Sequence, residues 1–162
     1  TTESRGLGDV YKRQRQWEKK DVEDLIILSK IMWEESMYKD ISFSEDRLRI
    51  QYNYLLSKPF KGMGFVAIEN NKIIGAIVVM LSKYFFSNEI FCFDLGLFIN
   101  PKYRKSIKTP AKLIKVAGDW GKKKGAKEFR PASSVGVRID KIEKFYNFLK
   151  FKTVGNVFSK RL

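Results

Sequence analysis

From Phe65 to Pro110 the chain prescribes an order of elements that few folds accommodate: strand, tight turn, strand, a third strand, then a basic loop feeding a helix. Phe65-Val66-Ala67-Ile68 and Ile73 through Met80 are β-rich runs separated by Asn70-Asn71, residues that tolerate the positive φ angles of a two-residue hairpin turn. Ile90 to Ile99 is the third run, and its one acidic residue, Asp94, stands near its centre. Asn100-Pro101 ends that strand, because proline has no N–H for a ladder hydrogen bond.

Helical periodicity flanks this core. Asp21 is placed to cap a helix in which Val22, Leu25, Ile26, Ser29 and Met32 share a face, and Ser44 or Glu45 opens a second, which Pro59 limits. After the basic loop, Thr109-Pro110 has the chemistry of an N-cap followed by the first helical position, with Leu113, Ile114, Ala117 and Trp120 facing inward and a stop near Gly125. A strand over Glu128 to Ser133 leads through Gly136 to a helix capped by Asp140 and Glu143, and a last strand is expected around Thr153 to Phe158. The order predicts an α/β (α+β) chain with a mixed, mostly antiparallel sheet flanked by helices.

Composition removes whole classes of function. The chain of 162 residues has no histidine and a single cysteine, which excludes histidine-based triads, histidine-containing metal sites and thiolate zinc clusters. Its longest apolar run, Ile73 to Leu81, is far shorter than the roughly 20 residues that cross a bilayer. Cys92 sits in a strand-like run and no secretory signal is legible, so a reducing cytoplasm is the expected compartment. The net charge of +14 favours polyanions, although a lysine-rich composition also follows from an AT-rich coding sequence.

Chemistry concentrates where the third strand meets the next helix. The first turn of a helix offers unpaired N–H groups and the positive end of its dipole, and Arg104, Lys105 and Lys108 add mobile charge, so this loop suits a pyrophosphate. Ile99, Pro101 and Arg104 stand at the spacing of Val-x-Pro-x-x-Arg/Gln-x-x-Gly-x-Gly/Ala, and here the sequence resembles the acyl-CoA-binding motif of the GNAT N-acetyltransferase family. Ile107 and Thr109 occupy the two small-residue positions, where a bulky side chain narrows the approach of phosphate oxygens. Phe145-Tyr146-Asn147-Phe148-Leu149-Lys150-Phe151 resembles the family's Phe-Tyr-x-x-Leu-Gly-Phe stretch, with Lys150 in place of the Gly.

The resemblance covers Asp21 to Phe158 and implies acetyl-CoA as co-substrate, no metal, and direct attack of a primary amine on the thioester. It implies that Phe98, Ile99, Arg104, Lys105, Ser106, Ile107, Lys108 and Thr109 hold the cofactor, backbone N–H groups near Phe98 and Ile99 receiving the pantetheine arm and acetyl oxygen. It makes Tyr146 the general acid for the leaving thiolate, and Asp94 is the carboxylate available to take the amine proton. As structural residues, Tyr146 belongs to a helix face with Ile142 and Leu149, and Asp94 faces outward or pairs with a lysine. The acceptor is expected to be a small molecule, peptide or protein amine, met by a monomer or homodimer without a membrane.

Three further expectations stand beside this. The competing function is a catalytically weak module of the same fold that binds nucleic acid or a protein partner through its surplus lysines. The style of the chain resembles phage or bacterial members of the family. Asp9-Val10-Tyr11-Lys12-Arg13-Gln14 resembles a translated sequencing adapter, which marks residues 1–14 as artefactual or disordered and residues 15–162 as one acetyltransferase domain.

Overall fold

The computed structural model describes residues 12–133 and 138–162, so Asp9, Val10 and Tyr11 of the adapter-like run, and Gly136, lie outside the described residues. Five strands form one sheet in the order β1 to β5: Lys12–Gln16, Gly62–Glu69, Lys72–Lys83, Ile90–Ile99 and Phe129–Arg130. The first three junctions are antiparallel and β4 pairs with β5 in parallel. Four α-helices accompany them: α1 Val22–Glu35, α2 Glu45–Leu56, α3 Lys108–Lys123 and α4 Ile139–Phe148. Lys12, Arg13 and Gln14 of the adapter-like run are part of edge strand β1.

Local chemistry sets several of these elements. Asn70 and Asn71 adopt φ of 49° and 62°, and Glu69 pairs with Lys72 across them, which is the left-handed pair a two-residue hairpin needs to match strand twist. The Ser44 side chain accepts the Arg47 N–H at 3.2 Å and so satisfies a free donor at the start of α2. Asp21 stands at the N-cap position of α1 without bonding its N–H groups. Its buried carboxylate instead takes both guanidinium nitrogens of Arg15, at 2.8 and 2.9 Å, and the Glu18 N–H at 2.7 Å. Edge strand and helix are thereby clamped together.

One face of the sheet is covered by α3, whose Leu113, Ile114, Ala117 and Trp120 are buried. Gly121 allows the close approach: a Cβ there would lie 2.9 Å from the Cβ of Cys92 on β4. Cys92 is fully buried, and burial, followed by the charge of Asp94, pushes its thiol up to about 12, which removes it as a nucleophile. On the opposite face, α1 and α2 bury Leu25, Leu28 and Leu55. None of the described helices is long and apolar enough to cross a membrane.

Four expectations shift. Helix α3 begins at Lys108, so Pro110 is its third residue, where the missing N–H has no helical acceptor and costs nothing. Helix α4 begins at Ile139 after Arg138 at φ 51°, placing Asp140 in the first turn rather than at the cap. Strand β5 is two residues long. No strand forms over residues 153–158: β5 offers too short an edge, and the tail departs so that Arg161 reaches Asp40 at 2.8 Å and stacks on Tyr38.

Candidate active site

The site begins with an irregularity in β4. Val79 pairs with Asp94 and Val78 with Gly96, so Leu95 is an extra residue, a β-bulge, and it is exposed. On the other edge of β4, ladder pairing with β5 stops after Phe93 and Arg130. The Ala132 N–H, which would have continued toward β4, turns to the Asp94 carboxylate at 2.7 Å. The two strands then part, leaving the edge of β4 from Asp94 to Ile99 open.

Which backbone groups face that opening follows from alternation. The Asn100 N–H donates to the Ile74 carbonyl in β3 at 2.7 Å, so Phe98, two residues earlier, also points its N–H toward β3. The N–H groups of Leu97 and Ile99 face the open side, where the Ile99 carbonyl accepts Arg104 Nε at 2.8 Å. Phe98 contributes its ring, with the Arg104 guanidinium 4.7 Å from the ring centre.

A cavity of about 450 Å³ fills the opening, lined among others by Asp94, Phe98, Ile99, Arg104, Lys105, Ser106, Ile107 and Tyr146. Lys108 and Thr109 lie in the first turn of α3 and do not line it. Sequence reasoning missed Glu35, Arg138 and Lys141, which do. Glu35 binds the Arg104 guanidinium at 2.7 and 3.2 Å across 69 positions, a pairing no local pattern announces. Arg138, just before α4, and Lys141, in its first turn, bring positive charge to the cavity.

Asp94 and Tyr146 share this cavity, and the charge of Asp94 acts on the phenol. Burial lifts the Asp94 carboxyl to about 6, against which the hydrogen bond from Ala132 works. Burial, and then the charge of Asp94, raises the Tyr146 phenol above its ordinary value, so it stays protonated at neutral pH. A carboxylate near its neutral point and a phenol held protonated make a base and an acid in one cleft. Tyr146 is fixed by its helix end: its carbonyl accepts the Phe151 N–H at 3.0 Å, Lys150 bonds Asn147 at 3.0 Å, and the Phe151 ring packs 5.6 Å from the phenol ring.

The residues present suit an elongated anionic thioester. Open N–H groups along β4 offer donors to an amide-rich arm, and Lys105, Arg138 and Lys141 supply positive charge at the cavity that an anion could use. Ile107 has φ −78° and is half exposed, so its backbone needs no glycine. A second cavity, of about 570 Å³, lies between α1, α2 and the sheet and shares Met32, Leu95, Gly96 and Phe98 with the first. The two hollows meet at the bulged strand.

No protein-family model and no curated protein matches the sequence. Solved structures do match in shape. A possible acetyltransferase from Clostridium difficile 630 superposes with a TM-score of 0.73 at 15% identity, covering 94% of this chain and 98% of that one. AAC(6')-Iy, bound to the bisubstrate analogue CoA-S-monomethyl-acetylneamine, gives 0.75 at 21% identity, with 93% and 97% covered. The aminoglycoside acetyltransferase meta-AAC0020 from an uncultured soil metagenomic sample, in complex with sisomicin, gives 0.71 at 18% identity, with 95% and 97% covered. A five-stranded, mostly antiparallel sheet with a bulged and splayed β4, seen with these neighbours, is the GNAT acetyltransferase fold.

Proposed function

We propose that the chain is an acetyl-CoA-dependent N-acetyltransferase that moves an acetyl group to a primary amine by direct attack within a ternary complex. The carrying observation is the junction of two cavities at the open edge of β4, with Asp94 and Tyr146 lining the one that suits the thioester. Residues 15–162 act as the catalytic domain, and the buried, unpaired Cys92 fits a reducing compartment.

In this reading the Leu97 and Ile99 N–H groups orient the pantetheine arm and polarise the acetyl carbonyl. Lys105, Arg138 and Lys141, with the positive end of the α3 dipole, hold the phosphates. Arg104 is a positioning residue: bound to Glu35 and to the Ile99 carbonyl, it ties the end of α1 to the open strand. The amine nitrogen forms the new bond to the acyl carbon as the carbon–sulfur bond breaks. Asp94 accepts the amine proton, directly or through water, and Tyr146 donates its phenolic proton to the leaving sulfur.

The test is titration of the purified chain with acetyl-CoA by calorimetry, together with thiol release in the presence of primary amines. Saturable binding at micromolar concentration is expected, and Tyr146→Phe should bind alike while turning over about 10–100-fold more slowly. Absence of binding would refute the reading, and an unchanged rate in Tyr146→Phe would remove Tyr146 from the chemistry.

A further inference from the structure

The second cavity differs from the first in its electrostatics. Its walls are aromatic and aliphatic, with Trp33, Phe43, Tyr52 and Tyr54 among them. Several of its polar atoms are already used: Tyr52 Oη lies 2.6 Å from Ser29 Oγ, and Trp33 Nε1 donates to the Tyr38 and Ile41 carbonyls at 3.0 and 2.9 Å. Among the described residues no carboxylate lines it. The nearest acids in sequence, Glu45 and Asp46, stand outside the lining, and Asp46 is bonded to Arg49 at 2.8 Å. Glu35, on the rim of the first cavity, is held by Arg104.

One charged residue does line it, and it is positive. Arg47, exposed in the first turn of α2, uses its backbone N–H on the Ser44 cap, while its guanidinium has no acidic partner among the described residues. A polycationic guest would bring several ammonium groups into a hollow without a carboxylate and beside an unpaired arginine. An aromatic body would meet apolar walls, and a single anionic group would meet the guanidinium.

Resting on the acetyltransferase reading, we infer that the second cavity takes the acceptor and selects a compact primary amine on an aromatic body, preferably bearing an anionic group, and rejects polycations. The amine enters toward Gly96, where the hollows join, and the anion stays at the α2 side with Arg47.

The experiment uses the full chain with three probes: phenethylamine, 4-(2-aminoethyl)benzoate and sisomicin. Acetyl transfer is followed by thiol release, and amine binding without acetyl-CoA by Trp33 fluorescence, with Trp33→Phe assigning the signal. The benzoate probe should exceed sisomicin at least about 100-fold in kcat/KM and exceed phenethylamine about tenfold. Arg47→Gln should erase the tenfold advantage through KM, bringing the ratio of the benzoate probe to phenethylamine down to about one. Arg47→Glu places a glutamate three residues after the Ser44 cap, a pairing that favours the helix, so its loss of benzoate binding would not reflect unfolding. Preferential acetylation of sisomicin would overturn the inference and leave the acetyltransferase reading standing. Binding of the aromatic amines with no transfer to any probe would sustain the cavity's selectivity and sink the enzyme reading. No aromatic amine bound would overturn the inference.

Discussion

Replacing Asp94 by asparagine separates the two consequences of burying that carboxylate. Asparagine keeps an acceptor oxygen for the Ala132 N–H but cannot ionise. Burial lifts the carboxyl from 3.8 to about 6, so between these values the folded protein holds a proton that the unfolded chain has released. The unfolded chain binds fewer protons there, and stability must fall as pH rises through that window, by about 3 kcal/mol at most once pH exceeds 6. Asp94→Asn escapes the loss. It should match the wild type near pH 4 and exceed it at about pH 7.5, by up to roughly 6–12 °C in Tm for a domain of this size. Melts followed by circular dichroism at both pH values measure this. The same variant should lose about 10²–10⁴-fold in kcat, while wild-type kcat/KM falls about tenfold per pH unit below about pH 6. Equal stability gains at both pH values would show that ionisation is not what burial penalises, and a retained rate would show that Asp94 is not the base.

The remaining predictions concern the frame of the site. Lys150 sits at φ 71°, where a side chain costs about 1–2 kcal/mol; Lys150→Gly should therefore stabilise by about 0.5–1 kcal/mol after glycine's entropy loss, and Lys150→Ala should not, as denaturant titration would read. Asp21→Ala takes from Arg15 its buried partner and leaves only the longer contact to Glu18 at 3.7 Å; it should cost about 2–4 kcal/mol in the same titration, with acetyl-CoA affinity unchanged at temperatures where the variant is folded. Glu35→Gln releases the Arg104 guanidinium from its ion pair; KM for acetyl-CoA should change about threefold or more with kcat nearly constant, because positioning rather than proton transfer is altered.

What was legible in the sequence was local. The Asn70-Asn71 turn, the Ser44 cap and the central place of Asp94 in β4 each depend on residues within a few positions, and each is found where the sequence puts it. What escaped depends on the edges of elements meeting across the fold. The bulge at Leu95 is a property of the β3–β4 register, the Glu35 to Arg104 pair joins a helix end to a loop 69 positions away, and the expected strand after Thr153 fails because β5 is too short to receive it.

Two departures from the motifs that the sequence resembles show why residue type alone misjudges a motif. Ile107 and Lys150 each replace a small or glycine residue, and by letter they are the same kind of substitution. Their backbones differ. Ile107 lies at φ −78°, a conformation open to any residue, with its side chain half exposed, so the helix start requires no glycine there. Lys150 lies at φ 71° because the turn that ends α4 needs a left-handed residue to bring the Phe151 N–H back to the Tyr146 carbonyl. The first substitution is nearly free at the site, while the second carries strain at the residue that closes the helix bearing Tyr146. Tyr146 is held in the cavity by the Phe151 backbone hydrogen bond and the Phe151 ring contact, and Phe151→Ala, which keeps the N–H but removes the ring, should loosen the phenol more than a change at Ile107.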